Sequence, residues 1–442
     1  MNVPIATFGF MLEALKEPLA VLLCQLAAVI AIAGLCGRVF KKLGQPSVVG
    51  EMAAGILLGP SVLGHVWPAA ELFLFPEASL GTLGLLSQVG VLLFMFAVGL
   101  EIDLSGLRQR ARTAVQVSYG GIVTPFILGT GLAWLLYREY APEGIRFLTF
   151  SLFMGVAMSI TAFPVLARIL EERNLLGTSL GVTALASAAV EDVTAWTLLA
   201  LVVGVAKAQS PSSAVATAAM ALAFALFMLF GVRRAALKWV RIPVGADAPG
   251  KGLVSIILIG AFLSALATEA IGVHALFGAF LAGAILPKAR PLREFLRDRL
   301  EYSASLYLLP IFFASTGLRT HLGLLDRAGD WLVFGSILLV AVAGKLGGVC
   351  LAARFGGVGW RESLGLGALM NTRGLLELIV LNLDLDLGIL SPRIFAMMVL
   401  MALTTTAMTG PLLTLLGLGG RVPTGAGAEK RVAADSAASA RP

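Results

Sequence analysis

Charged residues are scarce in this chain. Asp, Glu, Lys and Arg make up 13% of its 442 residues, where a soluble globular protein carries roughly a quarter. A soluble domain of this length is therefore excluded. Cysteine is nearly missing too: Cys24, Cys36 and Cys350 lie inside apolar stretches with no paired metal-type spacing. Neither a disulfide framework nor a resident metal site is expected, and all three read as small buried apolar residues. No basic segment precedes the first apolar run, so no cleaved signal peptide is expected.

What fills the chain is apolar sequence, 58% of the residues, with a mean hydropathy of +0.91. Runs of about 20 such residues, enough to cross a bilayer of roughly 30 Å, recur from end to end. The fold class this implies is an all-α polytopic membrane protein. Thirteen spans are expected, at 18–38, 46–64, 80–102, 112–137, 146–170, 175–206, 212–232, 252–272, 274–287, 301–318, 331–353, 362–383 and 392–417. The ninth is short for a full crossing. Fifty glycines and nineteen prolines suit membrane helices, which tolerate both and pack through small residues.

The 33 Lys and Arg against 26 Asp and Glu invite a nucleic-acid partner. The basic residues fall in loops between spans, however, so membrane lipid is the expected partner and nucleic acid is not. Loops after odd-numbered spans and the tail hold 24 of them, against 7 on the other side (Lys16, Arg138, Arg146, Lys207, Arg319, Arg327 and Arg393). Positive residues stay inside, which puts the N-terminus outside and the C-terminus in the cytoplasm of a cell or inner membrane. His65, His274 and His321 then flank the outer side and read as loop or helix-end residues rather than pH sensors. Trp67, Trp134, Trp239, Trp331 and Trp360 sit near span ends, as interface anchors do.

Three similarities link the halves. FMFAVGL (94–100) matches FFASTGL (312–318), AAGILLGP (53–60) resembles LAGAILP (281–287), and GVAMS (155–159) matches GALMN (367–371). Each pair lies seven spans apart, and seven is odd, so the halves run in opposite senses. Two inverted six-helix repeats joined by span 7 are the arrangement of secondary transporters. Spans 5 and 12 also share an interrupted middle: Ser159, Thr161 and Pro164 in one, Asn371, Thr372, Arg373 and Gly374 in the other. Matched interruptions mark a transporter's binding site, because unwound turns release carbonyls and helix-end dipoles that act on ions.

Glu191 and Asp192 stand side by side near the middle of the apolar run 175–206. An acid at that depth costs about 2.5–3.5 kcal/mol on insertion scales, so it pairs, faces a water-filled cavity or stays protonated. Lys345, inside span 11, is the natural partner, and either acid could take it. Burial disfavours the charged form of both groups while pairing opposes this, which leaves such a pair poised to respond to an arriving proton or cation. Arg373 with Glu377 at i,i+4 allows a second pair. Its expected role is mostly structural, balancing carbonyls freed by the break. Glu51, near the cytoplasmic end of span 2, is expected simply to reach water.

SITAFPVLARIL (159–170), AAVEDVTAW (188–196), NTRGLLELIVLN (371–382) and QPSVVGEMAAGILLGPSVLG (45–64) together resemble the second monovalent cation:proton antiporter family, its Kef-type and plant CHX-type exchangers in particular. The resemblance covers about residues 18–417. It implies a sodium/proton antiporter-like fold with two broken, crossing helices, in a homodimer. The dimerisation scaffold would be 18–104 and 252–325, the transport core 111–207 and 331–417, with a linker helix at 212–238 and a short cytoplasmic tail at 418–442. It also implies that Asp192 binds the ion, that Glu191 stands where Asn, Gln or Asp is usual, and that Lys345 and Arg373 are the family's core basic residues. With so short a tail, the regulatory nucleotide-binding domain of many Kef-type proteins is not expected in this chain.

The function expected is exchange of Na⁺ or K⁺ for H⁺ by alternating access, with Asp192 holding the transported cation or a proton. Ser159, Thr161, Asn371 and nearby carbonyls would supply further oxygens. No enzymatic activity and no cofactor are expected. Two alternatives stay open: a channel-like K⁺ efflux pathway gated by these charges, and an organic-anion transporter with Arg373 as ligand, against which the adjacent acids argue by repulsion.

Overall fold

The computed structural model describes residues 17–101, 111–207, 211–239, 249–287, 289–301 and 304–418. Among them are helices and no strands. In chain order the main helices are α1 Pro18–Lys42, α2 Ser47–Leu58, α3 Glu77–Glu101, α4 Ala111–Tyr140, α5 Phe147–Ser159, α6 Phe163–Glu172, α7 Ser179–Lys207 and α8 Pro211–Leu226. They continue as α9 Lys251–Ile271, α10 Ala275–Ala284, α11 Leu309–Leu318, α12 Ala328–Val342, α13 Gly348–Phe355, α14 Trp360–Met370, α15 Leu375–Asp386 and α16 Pro392–Leu415.

Ten stretches among the described residues are long and apolar enough to cross a membrane, α5 with α6 counting as one. The pair α14 and α15, bent by 43°, makes an eleventh. The two other expected spans are shorter helices: α10, and α11 with the wide turn Ala304–Leu308 ahead of it. Lys16, Arg108, Arg110, Arg241, Lys288, Arg421, Lys430, Arg431 and Arg441 of the charge count, and residues 419–442 of the expected tail, lie outside the described residues.

Local chemistry explains the boundaries. Proline sits in the first turn of α1, α6 and α16, where its missing N–H is no loss. Gly272 closes α9 with a left-handed φ of 97°, and His274 Nδ1 then accepts from the Leu276 amide at 3.3 Å to cap α10. Faces away from neighbours carry Phe227, Phe230, Ile256, Leu263 and Leu266 in the open. Apolar surface on that scale belongs against lipid.

Two bodies of packing emerge. In one, α2 and α3 lie against α11, α3 against α10, and α1 and α9 flank them. In the other, α4 packs on α5, α7 and α13, while α14 and α15 lie on α16. The repeat is visible in the contacts of the first. A Cβ on Gly55 of α2 would strike the backbone of Phe313 in α11, and one on Gly283 of α10 would strike Phe96 in α3. Gly55 and Gly283 occupy matching places in AAGILLGP and LAGAILP, so each contact is the other's counterpart under exchange of the halves.

Candidate functional site

The two interruptions meet. Pro164 has no N–H for the Ile160 carbonyl, so α5 stops at Ser159 and the chain runs extended through Ile160 and Ala162 before α6. Between α14 and α15, Asn371 to Gly374 form the second break. Across the crossing the Ala162 amide donates to Thr372 O at 3.0 Å, and Thr161 Oγ1 donates to Met370 O at 2.7 Å. Both α5 and α14 arrive with their C-terminal, partially negative ends. Arg373 answers the first: its guanidinium donates to Ala157 O at 2.8 Å and Met158 O at 2.7 Å. Glu377 Oε1 lies 3.2 Å from the same guanidinium, both side chains fully buried.

Of the two acids, Glu191 is the one that takes the lysine. Lys345 Nζ lies 2.7 Å from Glu191 Oε2 and 2.7 Å from Thr161 Oγ1, and it is completely buried. The lysine rides on a wide turn, Ala343–Gly347, inserted between α12 and α13. Such bulges recur at functional sites because they re-aim a side chain without ending the helix. Opposite stands Pro125, inside α4, whose backbone leaves no room for a Cβ on Gly344.

Asp192 is buried beside this pair, and its Oδ1 has no hydrogen-bond partner. Neither Oδ1 nor Nδ2 of the fully buried Asn371 has one either. Ser159 is committed differently: its hydroxyl donates to Gly155 O at 2.7 Å and Ile122 O at 3.1 Å, leaving lone pairs alone for any further ligand. The arrangement is thus a buried crossing with one lysine–glutamate ion pair, one clamped arginine, and carboxylate and amide oxygens left without partners. Groups of that kind suit a proton or a partly dehydrated monovalent cation.

The sodium/hydrogen exchanger transmembrane family model matches residues 27–418. The chain belongs to that family. Its members are secondary transporters and not enzymes. The chain is 43% identical to the Na⁺/H⁺ antiporter NhaS4 of Synechocystis, over 89% of this chain and 96% of that one. It is 41% identical to cation/H⁺ antiporter 20 of Arabidopsis thaliana, over 88% of this chain and 48% of that one. With K⁺/H⁺ antiporter 1 of Saccharomyces cerevisiae the identity is 35%, over 91% and 47%. It therefore spans about half the length of the plant and yeast relatives. The sodium proton antiporter MjNhaP1 of Methanocaldococcus jannaschii shares the fold, with a TM-score of 0.66 at 14% identity over 91% of this chain and 98% of that one.

In this exchanger-family chain, cavities open at both ends of the seam between the two packed bodies. At the end bearing Arg38 and Lys41, about 440 Å³ lies between α1, α2 and α6. Glu51 does not simply reach water there. It pairs with Arg168 at 3.3 Å and keeps only 12% of its side chain exposed, because α6 brings a guanidinium over it. At the other end about 80 Å³ is lined by Ser87, His274, Arg319, Asn382 and Asp386. Sequence reasoning missed Thr406, which accepts from the Arg373 amide at 2.9 Å and donates to Arg373 O at 2.7 Å, so fastening the break to α16. Thr409 lies 3.2 Å from the Thr372 hydroxyl. The signal was the threonine-rich LTTTAMT, 403–409, inside an apolar span.

Proposed function

We propose that this chain is a secondary antiporter that exchanges Na⁺ or K⁺ for H⁺ by alternating access, with Asp192 as the shared site. One observation carries the reading: Asp192 is buried with a carboxylate oxygen lacking any partner, next to an ion-paired acid at the crossing of two broken helices. A carboxylate so placed takes either a proton or a cation, and that competition enforces coupling. Asn371, the lone pairs of Ser159 and Thr161, and carbonyls of the breaks would complete the oxygen shell. The substrates named for the relatives, Na⁺, K⁺ and H⁺, support the pair of cargoes.

In this reading α1–α3 and α9–α11 form a static scaffold through which two copies pair, and α4–α7 with α12–α16 form the moving core. The end rich in Lys and Arg faces the cytoplasm, as does the C-terminus. The test is ΔpH dissipation in proteoliposomes with Li⁺, Na⁺, K⁺ or Rb⁺. Wild type responds to at least one of them saturably, and Asp192→Asn to none. Cation-dependent dissipation retained by Asp192→Asn would end the proposal. A channel would carry cation without moving protons against their gradient.

A further inference from the structure

We propose that protons reach Glu191 by a route of their own, a water-filled path between α4, α7 and α14, separate from the seam between scaffold and core. The inference rests on the exchange reading and adds the way its second acid is loaded. It starts from a cavity of about 130 Å³ at the basic end of the bundle, lined by Thr113 of α4, Ser179, Leu180 and Thr183 of α7, and Glu362 and Leu366 of α14. Glu362 is exposed at its mouth.

From there α7 continues as a polar strip. Ser179, Thr183, Ser187 and Glu191 follow at intervals of four, which sets each beside the next, about 6 Å further on, along a strip that winds slowly around the helix. Ser187 is fully buried and donates to Thr183 O at 2.8 Å, so its lone pairs remain able to accept. Helix α4, which packs on α7, supplies Ser118, fully buried, whose Oγ has no partner. One turn further on, Gly121 leaves open the place of a Cβ, and Glu191 Oε1 fills it. That oxygen also has no partner, while Oε2 is held by Lys345.

Two buried polar atoms without partners, one on Ser118 and one, Glu191 Oε1, at Gly121 a turn further along α4, are what an internal water needs, since it takes 2–4 polar partners. The strip offers hydroxyls and, short of its mouth, no acid before Glu191. It can pass a proton along waters, but it lacks the oxygens that would replace a cation's hydration shell. The roomier cavity with Glu51 and Glu172 lies on the other flank, between α1, α2 and α6. In the loading step the last water's O–H bond breaks as an O–H bond forms on Oε1, and that water regains a proton passed along the waters from bulk. The charged groups about that carboxylate are Lys345 from the turn between α12 and α13, Arg373 from the second break, and Asp192 beside it.

The experiment reconstitutes the full chain and measures exchange at saturating Na⁺ or K⁺, in H₂O and D₂O. Thr183→Val with Ser118→Ala slows the rate about five- to tenfold, roughly the loss of one net hydrogen bond along the path once water fills part of the gap. It raises the solvent isotope effect and leaves the half-saturating cation concentration unchanged, and Thr183→Ser with Ser118 kept runs at the wild-type rate. Wild-type rate and isotope effect in the double variant, with Asp192→Asn inactive, overturn the route alone. An active Asp192→Asn overturns the exchange reading instead. Should the double variant fail to fold, Thr183→Cys in a chain without Cys24, Cys36 and Cys350 decides. A small hydrophilic thiol reagent applied at the basic end slows exchange and saturating cation gives no protection; protection by the cation overturns the separate route.

Discussion

Glu191 and Asp192 differ by one position and by everything around them. A residue turns about 100° from its neighbour on a helix, so Glu191 takes Lys345 through Oε2 while Asp192 makes no ion pair among the described residues. Removing one member of a buried ion pair strands the other, at about 3–5 kcal/mol. Glu191→Leu alone should therefore lower the thermal midpoint in detergent sharply. Glu191→Leu combined with Lys345→Met should recover most of the loss, because two apolar side chains leave no buried charge. A double variant as unstable as the single one would mean that the pair is not what holds α7 to the α12–α13 span. The same residue sets the electrical character. If Glu191 takes up a proton each cycle, exchange moves net charge, worth about 2.3 kcal/mol per 100 mV. Wild-type rates should then respond to a clamped voltage, and those of Glu191→Gln should not. The sequence revealed both acids and the lysine, since charges in apolar runs stand out. It left the choice of partner open, because that depends on how α4 and the wide turn at Lys345 aim two side chains.

At the scale of elements, the broken helices depend on one guanidinium. Arg373 closes the C-terminal end of α5 through two carbonyls and neutralises Glu377 one turn into α15. A lysine offers a single compact charge where a planar fork is needed. Arg373→Lys should therefore keep the pair with Glu377 yet lose one of the carbonyls, lowering stability by about 1–3 kcal/mol. Thr406→Val removes both a donor and an acceptor from the same break and should cost a similar amount, read by thermal unfolding with and without cation. Unchanged midpoints in both variants would show that the break is held elsewhere. The breaks themselves were legible, because Pro164 and the polar run Asn371–Gly374 interrupt apolar spans in matching places. Thr406 was not, since a threonine within a helix looks ordinary until a segment 33 residues away folds against it.

Across the whole molecule, two sets of polar contacts tie the proposed core to the proposed scaffold, one at each end of the seam. At the basic end Glu51 meets Arg168 at 3.3 Å and Ser47 meets Glu172 at 3.3 Å. At the other end Arg319, just past α11, pairs with Asp386 and donates to Asn382 Oδ1 at 3.0 Å, and Asn382 donates to Thr316 at 2.9 Å. The inverted repeat was readable from FMFAVGL and FFASTGL, but these ties were not, because nothing local in α15 says that α11 will face it. A core that slides against a scaffold cannot keep both sets, so each favours closure at its own end. The Arg319 pair is substantially exposed, at 37% and 47%, and pairs of that kind are worth about 0.2–1 kcal/mol. Arg319→Gln should therefore shift the balance toward opening at that end by about 1.5- to fivefold. Ser87, buried in the cavity there, reports it. In a chain without Cys24, Cys36 and Cys350, Ser87→Cys should react faster with a membrane-impermeant thiol reagent from outside once Arg319 is replaced. Glu51→Gln should slow the same reaction, because releasing the opposite end favours closure here. Equal labelling rates in all three backgrounds would mean that these contacts do not bias the motion.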